Sequence, residues 1–519
     1  MSVNVDVAIV GFGPGGEVLA SLLGQAGHRV VVFDKFPAPY GLPRMSTLDG
    51  EIARLLQHAG DAGRALEGSI PQPFVRLFGA DDKPAVTFDW SQELCGHPFR
   101  LSLHQPNIES AMQDKVAECD NVDVRWGSEV VAIDDLGDRV RVTARSVEGG
   151  EDEHVEATWV VGMDGASSFV RTAVDLPLNV VHTHDDQWYL TDFDILDPDL
   201  DPPATEIHML PHGPYFWGPN GARRCRTDVR LIPGQNPADL ADEEHGYRWL
   251  EEHLGISREQ VRITRRVLYR FRSQFATSYR RGRVLIGGDA AHAMTPYMAQ
   301  GSCSAMRDSG NLAWKLDLVL TGRAGDALVD TYEEERLSHV IPIVEGSLGT
   351  WAMTIEEDEG KAAGRDAFLR SGQAPERSVP GLTTGILHRE SDGSIALPTG
   401  ELSPQGRMRI GDREGLLDDL LGVYGFQLIS SVPISDALTD AQRSAAERLG
   451  VTFVVLGEGA GHAADLDSTY TTWLAGAGAV AALVRPDFYV FGVADSAPAA
   501  TSLLDELVEQ VGSTATVDA

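Results

Sequence analysis

A chain of 519 residues is too long for one ordinary core, and its 43% hydrophobic and 23% charged content matches a soluble globular protein of two or three domains. A net charge of −34 argues against nucleic acid and anionic membranes as partners, because both are polyanions. No apolar run approaches the roughly 18–20 residues that cross a bilayer, and a strand-like run from Val5 leaves no room for a signal peptide, so a cytoplasmic protein is expected.

Val5 to Val10 reads as a buried parallel strand, short, apolar and rich in β-branched residues. It runs into Gly11-Phe12-Gly13-Pro14-Gly15-Gly16, a GxGxxG, followed by a helical stretch from Glu17 to Gln25 and a second strand from Arg29 to Phe33. Asp34 closes that strand, 18 residues after Gly16. Gly11 permits the tight turn, Gly13 lets the backbone approach a pyrophosphate, and Gly16 lets helix and strand pack closely. The helix N-terminus offers free N–H groups to phosphates, and Asp34 can accept from adenosine ribose hydroxyls. Strand, motif, helix, strand and acid in register predict dinucleotide binding.

The fingerprint alone does not separate FAD from NAD. Two later segments do: Trp159-Val160-Val161-Gly162-Met163-Asp164-Gly165, leading to Phe169-Val170-Arg171, and Gly282 to His292, which contains Ile286-Gly287-Gly288-Asp289. With the three motifs in this order, the sequence resembles the class A FAD-dependent aromatic hydroxylases, the para-hydroxybenzoate hydroxylase fold family. In overall layout it is similar to the 3-(3-hydroxyphenyl)propionate hydroxylase group.

The resemblance implies an α/β fold: a Rossmann-like FAD-binding domain (1–74, 100–176 and 276–371) and an antiparallel-sheet substrate domain (75–99 and 177–275). A Pro/Gly/Ser-rich linker (372–406) and a thioredoxin-like C-terminal domain lacking CxxC (407–519) complete it. It also implies the cofactor set. Pro14, Gly15 and Lys35 join Gly11, Gly13, Gly16 and Asp34 around the nucleotide. Arg44, after Pro43, serves the pyrophosphate, and Gln105 lies beside the flavin. Asp164 and Gly165 border the pyrophosphate and the NAD(P)H approach, while Gly288 and Asp289 meet the ribityl chain.

The loop facing the flavin contributes Pro296, Gln300, Gly301, Ser302 and Cys303. Its Ala299-Gln300-Gly301 is salicylate hydroxylase-like, and the helix that follows should aim N–H groups at the flavin ring. Cys303 also reads as a small packed thiol. Alternating segments in the middle of the chain predict the substrate sheet, with Trp188, Tyr215, Trp217 and Tyr297 as candidate aromatic walls and His208 and Arg226 as candidate polar contacts.

The four cysteines (Cys95, Cys119, Cys225, Cys303) are scattered and form no metal-ligand spacing, so neither disulfides nor a metal is expected. Gly457 to His462 mimics a second fingerprint but reads as a loop.

The expected activity is hydroxylation of a phenolic or heteroaromatic small molecule. NAD(P)H and O2 are co-substrates, FAD is held non-covalently, and a homodimer fits the resemblance. A non-catalytic flavin-binding protein, a halogenase and a dehydrogenase of the same fold are the alternatives. The Trp-x-Trp-x-Ile-Pro of halogenases is absent from all nine tryptophan contexts.

Overall fold

A computed structural model describes residues 3–232, 234–240, 242–374, 379–459 and 461–513. Residues 375–378 of the expected linker, Ala460 of the glycine-rich loop and both chain ends lie outside that description.

Val30-Val31-Val32-Phe33 is buried along its whole length, as a central parallel strand covered on both faces must be. It pairs in parallel with Val122–Trp126 on one side and Val3–Val10 on the other. Val3–Val10 then pairs in parallel with Glu153–Gly162. That last strand divides its free edge, pairing antiparallel with Val140–Ser146 early and parallel with Val284–Ile286 late. The parallel strands therefore end together, and Gly11, Asp34, Met163 and Gly287 all emerge at one rim. This carboxyl end is where open α/β sheets bind nucleotides.

Helices Pro14–Gln25 and Gly301–Leu320 pack against each other beside this sheet. Helix Gly50–Ala59 joins them, its N-terminus capped by Asp49, which accepts from the Ile52 N–H at 3.1 Å.

A seven-stranded sheet stands apart from the first. Its order is Val261–Tyr269, Trp188–Ile195, Arg224–Arg230, Tyr215–Pro219, Thr205–His208, Phe74–Phe78 and Pro84–Asp89. All pairings are antiparallel except Thr205–His208 against Phe74–Phe78. One face is covered by helix Glu243–Leu254, whose Tyr247 and Leu250 pack with Phe193, Cys225 and Trp217. The opposite face looks toward the rim of the parallel sheet.

Near the C-terminus, Gln427–Ser430 and Thr452–Val455 pair in parallel across helix Asp440–Leu449. Ala481–Val484 and Val490–Ala494 extend that sheet antiparallel from its other edge. This unit is ionically welded to the rest: Arg485 donates to both Glu335 and Asp487, and Glu335 also accepts from Lys315, all buried. Among the described residues no helix is long and apolar enough to cross a membrane.

Candidate active site

Two cavities meet at the rim. The first, about 340 Å³, is bounded by the Gly11–Gly16 turn, Asp34, Lys35, Gln105, Asp164 and Gly165. Its glycines divide the labour that the spacing predicts. Gly11 has φ +102°, and a Cβ there would lie 2.4 Å from the Met163 carbonyl oxygen. A Cβ on Gly16 would lie 2.2 Å from the Gly11 carbonyl oxygen, whereas one on Gly13 would meet nothing within 4 Å. The open position faces the cavity and the crowded ones shape it. No side chain caps the helix that begins at Pro14, so its first N–H groups remain available to an anion.

The acids around this cavity are held in different ways. Asp34 accepts from the Phe12 N–H at 2.8 Å and the Phe36 N–H at 2.9 Å, which fixes its carboxylate at the strand end. Asp164 accepts from the Ser168 hydroxyl and from the Val170 N–H, pinning the turn that carries Gly165. Burial pushes Glu17 well above the usual carboxylate range, and the nearby Glu109 pushes it further. Burial raises Glu109 as well. The bond from Gln105 and the charge of Arg44 oppose the rise at Glu109. The sequence reading did not single out either residue.

Gln105 is fully engaged: its Oε1 accepts from the Arg44 and Met45 N–H groups at 2.7 and 2.6 Å, and its Nε2 donates to Glu109. Its amide thus holds the Arg44 loop in place. The Arg44 guanidinium stacks 4.4 Å from the Tyr40 ring and borders both cavities.

The second cavity, about 670 Å³, lies between the seven-stranded sheet and the Met294–Ser302 loop. Asp289 and Ser302 also border both cavities. The Asp289 carboxyl opens onto the cavity but is enclosed by its walls, and that burial raises it above the ordinary range. Helix Gly301–Leu320 starts here with no side-chain cap, so N–H groups at Gly301 and Ser302 face the junction. The walls are Val75, Leu77, Phe88, Leu190, Ile207, Phe216, Val267, Tyr269 and Tyr297, with Arg226 and Asp228 among them.

Of the six substrate candidates, Arg226 and Tyr297 line this cavity. Arg226 makes paired bonds to Asp192 at 2.7 and 3.0 Å and donates to the Pro43 and Arg44 carbonyls, so it ties the sheet to the Arg44 loop. The other four do not line it. His208 is stacked between Phe78 and Tyr215, each 4.2 Å away, on the opposite face of the sheet. Trp217 donates to Glu206 and packs with the cluster under helix Glu243–Leu254. Alternation explains the difference: Ile207 and Phe216 face the cavity, so His208, Tyr215 and Trp217 cannot. Trp188 shares the inner face but is buried beneath Tyr297, its indole donating to Asp186 at 2.6 Å.

Two loop residues also turn away. Gln300 donates to Asp49 at 3.1 Å and accepts from Arg307 at 2.6 Å, deep in a buried ionic cluster. Cys303 donates to the Ala299 carbonyl, and burial pushes its thiol up to about 12, the behaviour of an inert packed thiol.

Fold and paired cavities together are those of a dinucleotide-binding α/β protein whose nucleotide cleft opens onto a largely apolar pocket. The chain belongs to the family described as FAD binding domain, which matches residues 4–347, and residues 400–510 match the HcaD C-terminal domain. It is 33% identical to a Rhodococcus jostii (strain RHA1) protein named "Probable NADH-specific resorcinol 4-hydroxylase", across 98% of this chain and 95% of that one. It is 31% identical to a 3-(3-hydroxy-phenyl)propionate/3-hydroxycinnamic acid hydroxylase of Mycolicibacterium gilvum (strain PYR-GCK), across 82% and 75% of the two chains. The fold matches that of the flavin-dependent monooxygenase PieE, solved with FAD and substrate, at a TM-score of 0.82 and 22% identity, covering 98% of this chain and 99% of that one. The protein is an FAD-dependent aromatic monooxygenase.

Proposed function

We propose that the protein hydroxylates the ring of a small, neutral phenol in the cytoplasm, with NADH as the reductant and O2 as the oxygen source. The observation that carries this reading is the junction of the two cavities at Arg44, Asp289 and Ser302. A dinucleotide seated along the first cavity must enter the second there. Asp34 and Lys35 would hold the adenosine end, the Gly13–Gly16 amides and Arg44 the pyrophosphate, Asp289 the ribityl chain, and the Gly301 and Ser302 amides the ring carbonyl edge. When bound, FAD supplies the hydride acceptance and oxygen activation that side chains cannot.

The protein's part is to exclude water and orient the ring. Phe216, Ile207, Val75 and Leu77 form an apolar wall on the sheet, and Tyr297 closes it from the loop side. The relative named for NADH and resorcinol supports this choice of reductant and substrate size. A parallel pair joined through a helix and extended by an antiparallel hairpin supports a thioredoxin-like reading of the C-terminal sheet, without redox chemistry because CxxC is absent. Resorcinol, phenol and 3-hydroxyphenylpropionate should be tested for stimulation of NADH oxidation, with product mass recorded. The reading expects a steep rise with a neutral phenol and a product heavier by one oxygen. Oxidation indifferent to every phenol would refute it.

A further inference from the structure

The ring cavity contains one carboxylate that the fold does not account for. Asp228 sits mid-strand in Arg224–Arg230, paired across the sheet with the apolar Leu190 and Phe216. It is 8% exposed, and its Oδ1 has no hydrogen-bond partner. An unsatisfied buried acceptor costs about 1–3 kcal/mol, and more when charged. The two cations that act on it most directly are committed elsewhere. Arg226 is spent on Asp192 and the Pro43 and Arg44 carbonyls, and Arg265 on the Pro43 carbonyl and the Tyr40 hydroxyl.

We propose that Asp228 is the catalytic base: its free Oδ1 accepts the hydroxyl proton of the phenolic substrate, while Tyr269 holds the carboxyl in place. This rests on the phenolic reading given above. In the step, the substrate O–H bond breaks and its electron pair stays on the phenolic oxygen. The proton forms a new O–H bond on Asp228 and returns to solvent after product release. The electron-rich phenolate carbon is then the better target for an electrophilic oxygen.

The groups around Asp228 set its response to pH. Burial raises it to about 6, Asp192 on the neighbouring strand adds to the rise, and Arg226, Arg265 and the bond to Tyr269 oppose it. Tyr269 and Tyr297 are themselves pushed well above the usual phenol range, first by burial and next by Asp228, so both stay neutral donors. A base must be deprotonated to act, so activity gained through Asp228 is absent below this value and present above it.

The test uses FAD-loaded wild type, Asp228→Asn, Asp228→Glu and Tyr269→Phe, with resorcinol and NADH, over about pH 5 to 9. Wild-type kcat/KM should rise through a pH near 6 and level off. Asp228→Asn should lose that rise and fall about 10²- to 10⁴-fold, with Asp228→Glu recovering part of the loss. Tyr269→Phe removes a bond that lowers Asp228, so its rise should move to higher pH. Should Asp228→Asn fail to retain FAD, the Tyr269→Phe shift decides the matter: an unmoved rise overturns the proposal. An Asp228→Asn enzyme with wild-type kcat/KM and the same acidic limb overturns it while leaving the phenolic reading intact. A wild type that no phenol stimulates overturns both.

Discussion

The nucleotide cavity and the ring cavity share Arg44, Asp289 and Ser302 but are built from different materials. The first is largely backbone: a glycine turn, two uncapped helix N-termini and strand ends. The second is largely side chain, projected from one face of a seven-stranded sheet onto a loop. Backbone sites are encoded by spacing within one segment. Side-chain walls are encoded by strand parity and by pairings between segments far apart in sequence.

Arg307 tests whether the two cavities stand or fall together. It is buried against Asp49 and Glu51 and donates to Gln300, the residue that opens the helix at the junction. Arg307→Met would leave buried Glu51 without a cation and Asp49 with Arg100 alone, a loss of about 3–5 kcal/mol. Thermal melting and flavin content should both drop sharply. Retention of both at wild-type levels would show that the seam is not shared.

Two glycine substitutions separate shape from ligand contact in the nucleotide cavity. In Gly16→Ala the new Cβ collides with the Gly11 carbonyl, and overpacking of this kind costs about 1–3 kcal/mol. The apoprotein Tm should fall together with FAD affinity. In Gly13→Ala the Cβ meets no protein atom, so the apoprotein Tm should hold while FAD binding weakens. Equal Tm losses would contradict the assignment. At the junction, Asp289→Ala should weaken FAD binding roughly ten- to hundredfold, the equivalent of about 1–3 kcal/mol, whereas Cys303→Ala should leave it near wild type.

The smallest effects separate the two faces of the sheet. Phe216→Ala opens the ring cavity and should raise KM for resorcinol about tenfold, the equivalent of about 1.4 kcal/mol, with Tm lowered modestly. Trp217→Phe removes the indole bond to Glu206 on the opposite face and should cost about 1 kcal/mol of stability with KM unchanged. A KM that moves with Trp217 and not with Phe216 would reverse the parity described here.

That parity marks where sequence reasoning stopped. Gly11, Gly13, Gly16 and Asp34 were legible because one contiguous strand–turn–helix–strand segment carries all of them. Asp164 and Asp289 were proposed from the resemblance of their segments to the family's motifs, and each follows a buried strand of that sheet. Tyr215 and Trp217 were chosen for their aromaticity, yet they share a face with His208 and look away from the cavity, while the Phe216 between them looks in. Periodicity gives alternation but not which set faces inward. That depends on the cover provided by helix Glu243–Leu254, which is distant in sequence from these strands. The C-terminal unit behaves likewise: its strand–helix rhythm is readable, but the Arg485–Glu335 weld joins residues 150 positions apart. Asp228 escaped notice because nothing local distinguishes it from a surface carboxylate on a strand.

On the proposed reading, oxygen from the gas phase is inserted into an aromatic ring. Turnover of resorcinol with NADH under isotopically labelled O2 measures this directly. The product should carry one labelled oxygen atom from the gas and none when the label is supplied in water. Label entering from water, or a product without added oxygen, would contradict it.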